Sequence, residues 1–114
     1  MQLKKILFGI LFILFSVIAT AGSGHDHSHG HEAVSQNQAR LIATKNVSRL
    51  VEKGKLDESW TSVTASKVEK KTFSGHPEWV AVFTNNAISD IEKQTLYVFL
   101  SAGGDYLAAN YTGN

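Results

Sequence analysis

Apolar residues recur at three- and four-residue steps from Ala39 through Ile42, Ala43, Val47 and Leu50 to Val51, which is one stripe along an amphipathic helix. Ser35 and Gln38 fit a capping box at its start, with Val34 placed to staple against Ala39. Arg49 and Lys53 suit the negative end of the helix dipole, and Gly54 suits the left-handed conformation that ends a helix. These signals predict a helix of about 18 residues. Leu56 to Trp60 then reads as a short connector that brings Trp60 back onto the domain.

Beyond Trp60 the period changes to two. Ser66 to Phe73 is of mixed character and fits an edge strand whose lysines discourage edge-to-edge pairing. Ser74-Gly75-His76-Pro77 has the composition of a turn. In Glu78 to Thr84, Trp79, Ala81 and Phe83 face one way, with Val80 and Val82 facing the other. After a polar loop, Asn85 to Lys93, the segment Gln94 to Ser101 places Leu96, Val98 and Leu100 opposite Tyr97 and Phe99. Gly103-Gly104 fits a tight hairpin, and Asp105 to Tyr111 is predicted as the last strand, with Tyr106 and Ala108 alternating against Leu107 and Ala109. The expected fold is α+β: one N-terminal helix packed on a four-stranded antiparallel β-meander spanning residues 34–114. A sheet covered by one helix suffices for a small domain and leaves no room for a deep cofactor cavity.

The residues before this domain have a different character. Lys4 and Lys5 precede an apolar run, Ile6 to Ile18, broken only by Gly9 and Ser16. A spanning helix wants roughly 20 apolar residues, and this run is shorter. Ala19-Thr20-Ala21 then offers small residues where a signal peptidase reads them, so residues 1–21 are expected to be a secretory signal and the destination the periplasm. Cleavage after Ala21 would leave residues 22–114 with nine basic against ten acidic side chains, and without Met1, the only methionine. The precursor's net charge of +1 then belongs to its export signal, and a nearly neutral product gives no basis for a nucleic-acid partner. The absence of cysteine excludes a disulfide framework, a thiolate zinc site and an iron–sulfur cluster.

Residues 22–33 begin GSGHDHSHGHE, which has no apolar side chain to offset the cost of ordering, so a disordered arm is expected. His25, His27, His29 and His31 stand at strict two-residue spacing. In an extended segment alternate side chains project to one side, so these imidazoles can converge on one ion. Imidazole suits Zn2+, Cu2+, Ni2+ and Co2+, with Asp26 and Glu32 available as oxygen ligands. Nothing pre-orders the rings, so moderate, exchangeable affinity is expected, falling below pH roughly 6.5 as imidazole protonates. Cleavage after Gly22 would instead create a Ser23-Gly24-His25 terminus, a square-planar nitrogen set for Cu2+ or Ni2+.

Other candidates read as structural. His76 is the only histidine of the folded part and reads as a solvated turn residue; no Gly-x-Ser-x-Gly or Ser/His/Asp arrangement accompanies it. Gly103-Gly104 lacks the lysine and helix of a phosphate loop. Glu78, Asp90, Glu92 and Asp105 read as a solvated face, and Trp60, Trp79, Tyr97, Phe99 and Tyr106 as core. Asn46-Val47-Ser48 and Asn110-Tyr111-Thr112 match the glycosylation sequon by chance inside a helix and a strand. No enzymatic role is expected.

Leu50 to Trp60 (LVEKGKLDESW), Glu78 to Phe83 (EWVAVF), Lys93 to Ser101 (KQTLYVFLS) and Asp105 to Asn114 (DYLAANYTGN) resemble an uncharacterised family of small exported bacterial proteins, a domain of unknown function. The ending LAANYTGN is the most particular of these stretches, and the resemblance implies export and a His-Gly-rich arm. The helix-then-meander order is also similar to PepSY-type periplasmic domains, an analogy of architecture. Two functions follow as expectations. The first is capture, buffering or delivery of a divalent transition metal by the arm, with a metal transporter or another envelope protein as partner. The alternative is a PepSY-like periplasmic protein or peptide interaction module to which the arm is accessory. Neither involves a membrane anchor after cleavage.

Overall fold

Ser35 starts the helix as its side chain implies: the Gln38 N–H donates to Ser35 Oγ (3.1 Å), and the Ser35 N–H donates to Gln38 Oε1 (2.8 Å). In the computed structural model, which describes residues 32–114, this capping box opens helix α1, Gln36–Glu52. The helix ends at Gly54 (φ +76°), where the Lys55 N–H reaches Leu50 O (2.8 Å) and the Gly54 N–H reaches Val51 O (2.9 Å). These are the two hydrogen bonds of a Schellman motif. The expected stripe is the buried face: Ala39, Ala43 and Val47 are enclosed, with Ile42, Leu50 and Val51 packed at its margin. Asn46 is buried among them because its Nδ2 donates to Ile42 O one turn back (3.0 Å).

The connector is more ordered than its polar composition suggests. Asp57 caps a 3-10 helix, Glu58–Ser62, by accepting from the Ser59 N–H (2.9 Å) and hydroxyl (2.6 Å), and these bonds hold its carboxyl below the usual range. Asn85 Nδ2 donates in turn to Ser59 Oγ (2.9 Å), and Asn85 Oδ1 accepts from the Ala87 N–H (3.0 Å). Trp60, 1% exposed, is thereby locked between the helix and the sheet. Asp90 caps a second 3-10 turn, Ile91–Lys93, within the polar loop.

Strands β1 (Ala65–Phe73), β2 (His76–Thr84), β3 (Thr95–Ser101) and β4 (Tyr106–Asn110) form an antiparallel sheet in the order β1-β2-β3-β4, the expected meander. Its covered face carries Val68, Trp79, Ala81, Phe83, Leu96, Val98 and Leu100 against α1. Two helix side chains reach carbonyls of the edge strand β1: Gln36 Nε2 to Val68 O (2.7 Å) and Arg40 Nη1 to Ala65 O (2.8 Å). They blunt that edge together with its lysines. Lys70 stays exposed and lays its Nζ 4.9 Å from the centre of the Trp79 ring.

Three expectations need correction. The first turn is a two-residue loop, Ser74-Gly75, with φ +52° and +83°; His76 and Pro77 already belong to β2, paired with Phe73 and Thr72. Pro77 fits there because β3 ends at Ser101, opposite Glu78, so nothing on that side requires a proline N–H. The phase of β4 differs as well. The register shifts between Phe99 and Leu100, which pair with Ala108 and Tyr106, so Leu107 is an extra residue. Tyr106 and Ala109 pack against the core, whereas Leu107 and Ala108 face the opposite side. Finally, Phe99 lies outside the core cluster: it is buried on the uncovered face, with Phe73 edge-on at 5.9 Å between ring centres.

Tyr106 Oη is buried without a hydrogen-bond partner among the described residues, and its ring borders a cavity of about 10 Å³ with Leu50, Leu56 and Leu96. Burial pushes its hydroxyl pKa above the ordinary value of 10.0. Tyr111 is raised as well, first by burial and then by the Asp90 charge. A raised folded value leaves stability intact below the unfolded pKa and removes it as pH climbs through the folded one, so the domain should weaken above pH ~10. Tyr106→Phe is expected to gain about 1 kcal/mol at pH 7 by removing the unpaired hydroxyl, and to flatten the alkaline decline. Urea midpoints measured at neutral and alkaline pH check both effects; a loss of stability at pH 7 would show that the hydroxyl is satisfied in solution.

Candidate functional site

The four arm histidines, His25, His27, His29 and His31, lie outside the described residues, as do the expected signal, residues 1–21, and nearly all of the expected arm, 22–33. What the structure does place is the root of that segment. The Val34 N–H donates to Ala102 O (2.9 Å), fixing the chain to the loop between β3 and β4 just before α1 begins. That loop is built on Ser101, whose N–H donates to Asp105 O (2.8 Å) and whose Oγ accepts from the Asp105 N–H (2.9 Å). The expected Gly103-Gly104 hairpin is therefore present, with Gly104 at φ +97°.

Because β2 begins where β3 ends, the two hairpin loops lie at one end of the sheet. Between them is a depression of about 470 Å³, bordered by His76, Glu78, Ser101, Ala102, Asp105 and Leu107. His76 and Asp105 are exposed, and Glu78 is half-buried. Burial raises the Glu78 carboxyl pKa, and the neighbouring His76 charge partly offsets the rise. Residues expected to be a solvated turn and a solvated face thus meet in one concavity. Their separation in the chain hid this from the sequence; only the hairpin signals at Ser74-Gly75 and Gly103-Gly104, taken together, point to it. Among the described residues no group of three or more histidine and carboxylate side chains is close enough to hold a metal ion.

A second concavity, about 280 Å³, lies on the uncovered face of the sheet, with Phe73, Glu78, Phe99, Leu107, Ala108 and Asn114 around it. The terminal residues reach this face because Asn110 Oδ1 accepts from the Thr112 N–H (3.1 Å) and the Gly113 N–H (2.8 Å). The bend sets Gly113 against the ring of Tyr97. Asn110 therefore has a structural role in the LAANYTGN ending, and Asn46 of the other sequon is buried. Trp60 and Trp79 are core, as expected, whereas Tyr106 is partly buried and packs against that core, and Tyr97, expected there too, lies outside it. Among the described residues no helix is long and apolar enough to cross a membrane.

No curated protein and no solved structure matches this chain. A family model does match it, over residues 1–114, which is its whole length, and the expected likeness to an uncharacterised domain is borne out. This chain belongs to DUF6488, a family of unknown function.

Proposed function

We propose that this chain is exported to the periplasm and there captures a divalent transition metal, Zn2+, Cu2+, Ni2+ or Co2+, through His25, His27, His29 and His31, for buffering or delivery. The observation that carries this reading is the HDHSHGH spacing, which places an imidazole at every second residue and leaves no thiol or thioether ligand after signal removal. The Val34 to Ala102 hydrogen bond supports it by rooting the arm on a rigid hairpin, from which it can sample metal and pass it to a better-organised site on a transporter. Calorimetric titration of Zn2+, Ni2+ and Cu2+ into the exported chain tests the reading, compared with a variant in which all four histidines are glutamine. The native chain should bind at least one of these ions well below millimolar, and the variant should not. Equal binding by the two would end the arm reading.

One observation favours the alternative, a PepSY-like interaction module with the arm accessory: the concavity of Phe73, Phe99, Leu107 and Ala108 on the uncovered sheet face would suit an apolar peptide segment. Complementation of a deletion strain separates the two readings. Metal handling requires the four histidines, whereas the module requires the groove and fails with Leu107→Lys.

A further inference from the structure

We infer that strand β4 is the seam of a symmetric dimer: a second copy of this chain adds its own β4, antiparallel, to the open edge of the sheet. The inference is independent of the metal reading and rests on how differently the two edges of the sheet are finished.

Among the described residues β4 pairs with β3 alone. Alternate N–H and C=O groups along Tyr106–Asn110 therefore point away from the sheet and are met either by water or by another strand. The opposite edge is guarded. Lys67, Lys70 and Lys71 lie along β1, and its Ala65 and Val68 carbonyls already accept from Arg40 and Gln36. β4 reads YLAAN, with neither charge nor proline. Helix α1 packs on β1, β2 and β3, and the bend at Asn110 sends the terminal residues over the uncovered face toward Tyr97 instead of along the edge. All of β4 consequently stays partly open to solvent, whereas β3, one strand inward, holds Leu96, Val98, Phe99 and Leu100 buried.

The chemistry of this edge selects a second copy as its occupant. An uncharged strand meets its own copy without the like-charge repulsion that the lysines of β1 would incur against themselves. Beyond the bulge at Leu107 the alternation is regular, with Ala108 and Asn110 on the uncovered face and Ala109 on the covered one. Self-pairing centred on Ala109 sets Ala108 of each copy opposite Asn110 of the other, so every residue of this stretch meets one of its own face. The joined sheet then has a β1 at each end, where Arg40 and Gln36 occupy the carbonyls. Assembly closes at two copies and does not grow into a fibre. The same two-fold places the two concavities bordered by Leu107 and Ala108 on one side of the joined sheet, flanking the seam. So short a seam is smaller than a permanent interface, and a dissociation constant of about 10–100 µM is expected.

Sedimentation velocity and amide exchange of the exported chain, each over a range of concentrations, test the seam. The native chain should be mostly dimeric at about 500 µM and monomeric near about 1 µM. Over that range the β4 amides should gain protection while those of β1 do not. Across the seam the two Ala108 side chains are diagonal neighbours, about 7–8 Å apart. Ala108→Lys and Ala108→Glu should each raise the dissociation constant about tenfold, and an equimolar mixture of the two should dimerise at least as well as the native chain. Ala108 is only half-buried at the edge, so both longer side chains can extend to water and the variants should keep the native circular dichroism. A native chain that stays monomeric at about 500 µM overturns the proposal, including one that does so while binding an extended peptide at this edge. So does a dimer whose β4 amides gain no protection, or one that the two charged variants form separately as tightly as the native chain. The amide readout needs no substitution and decides the matter if a variant fails to fold.

Discussion

Trp60→Ala is expected to cost about 3–5 kcal/mol and to leave much of the domain unfolded at physiological temperature. The side chain is 1% exposed and stands where α1, the 3-10 helix and the sheet meet, in one cluster with Val47, Leu56 and Phe83. The size of the penalty depends on whether the surroundings can collapse into the void. Here they are held apart by hydrogen bonds: Asp57 to Ser59 on one side of the turn, and Asn85 to Ser59 across to the β2–β3 loop. A domain of this size has about 4–12 kcal/mol of total stability, so a single indole carries a large share of it. Equilibrium urea unfolding measures the loss, with Trp79 retained as the fluorescent reporter. A cost below about 1 kcal/mol would show that the 3-10 turn closes over the cavity and that its hydrogen bonds are not rigid.

Trp60 also shows how much of the fold is legible in the sequence. Its return to the core was legible, because an isolated aromatic between polar residues has few other reasons to be there. The 3-10 helix around it was not, since it depends on Ser59 being shared between Asp57 and Asn85, and such pairings leave no periodic signal. Helix α1 was legible at both ends because its stripe and its caps are local and agree. The phase of β4 was not: Tyr106, Leu107, Ala108 and Ala109 are four apolar residues in succession, so alternation cannot tell which of them faces the helix. The bulge at Leu107 decides it. Pro77 misled in the opposite direction, because proline is common in turns yet is equally at home in the unpaired start of a strand. The candidate site divides along the same line. The arm is a one-dimensional pattern and is visible as such, whereas the depression is made by two hairpins that only the meander brings to one end.

Gly104→Ala is the second large effect expected, a loss of about 2–3 kcal/mol, and it bears on that end of the domain directly. Gly104 has φ +97°, a conformation that costs an L-residue about 1–3 kcal/mol. A Cβ there would also lie 2.9 Å from Ile42 Cδ1 and 3.3 Å from Val34 Cγ1, so the hairpin and the start of the helix would have to separate slightly. Gly75 provides the control: it has a similar φ of +83° in the other hairpin loop, and nothing lies within 4 Å of its would-be Cβ. Gly75→Ala should therefore show the backbone strain alone, about 1 kcal/mol, and the difference between the two variants measures the contact. Adding Ile42→Val to Gly104→Ala removes the nearest methyl and should recover part of that difference, a coupling that a double-mutant cycle reads directly. Separation at this point also pulls on the hydrogen bond from Val34 to Ala102, so amide exchange at Val34 should speed up in Gly104→Ala more than exchange in the middle of α1. If Val34 exchanges no faster than the helix interior, the hairpin and the root of the arm are not coupled, and the close packing at Gly104 serves the core alone.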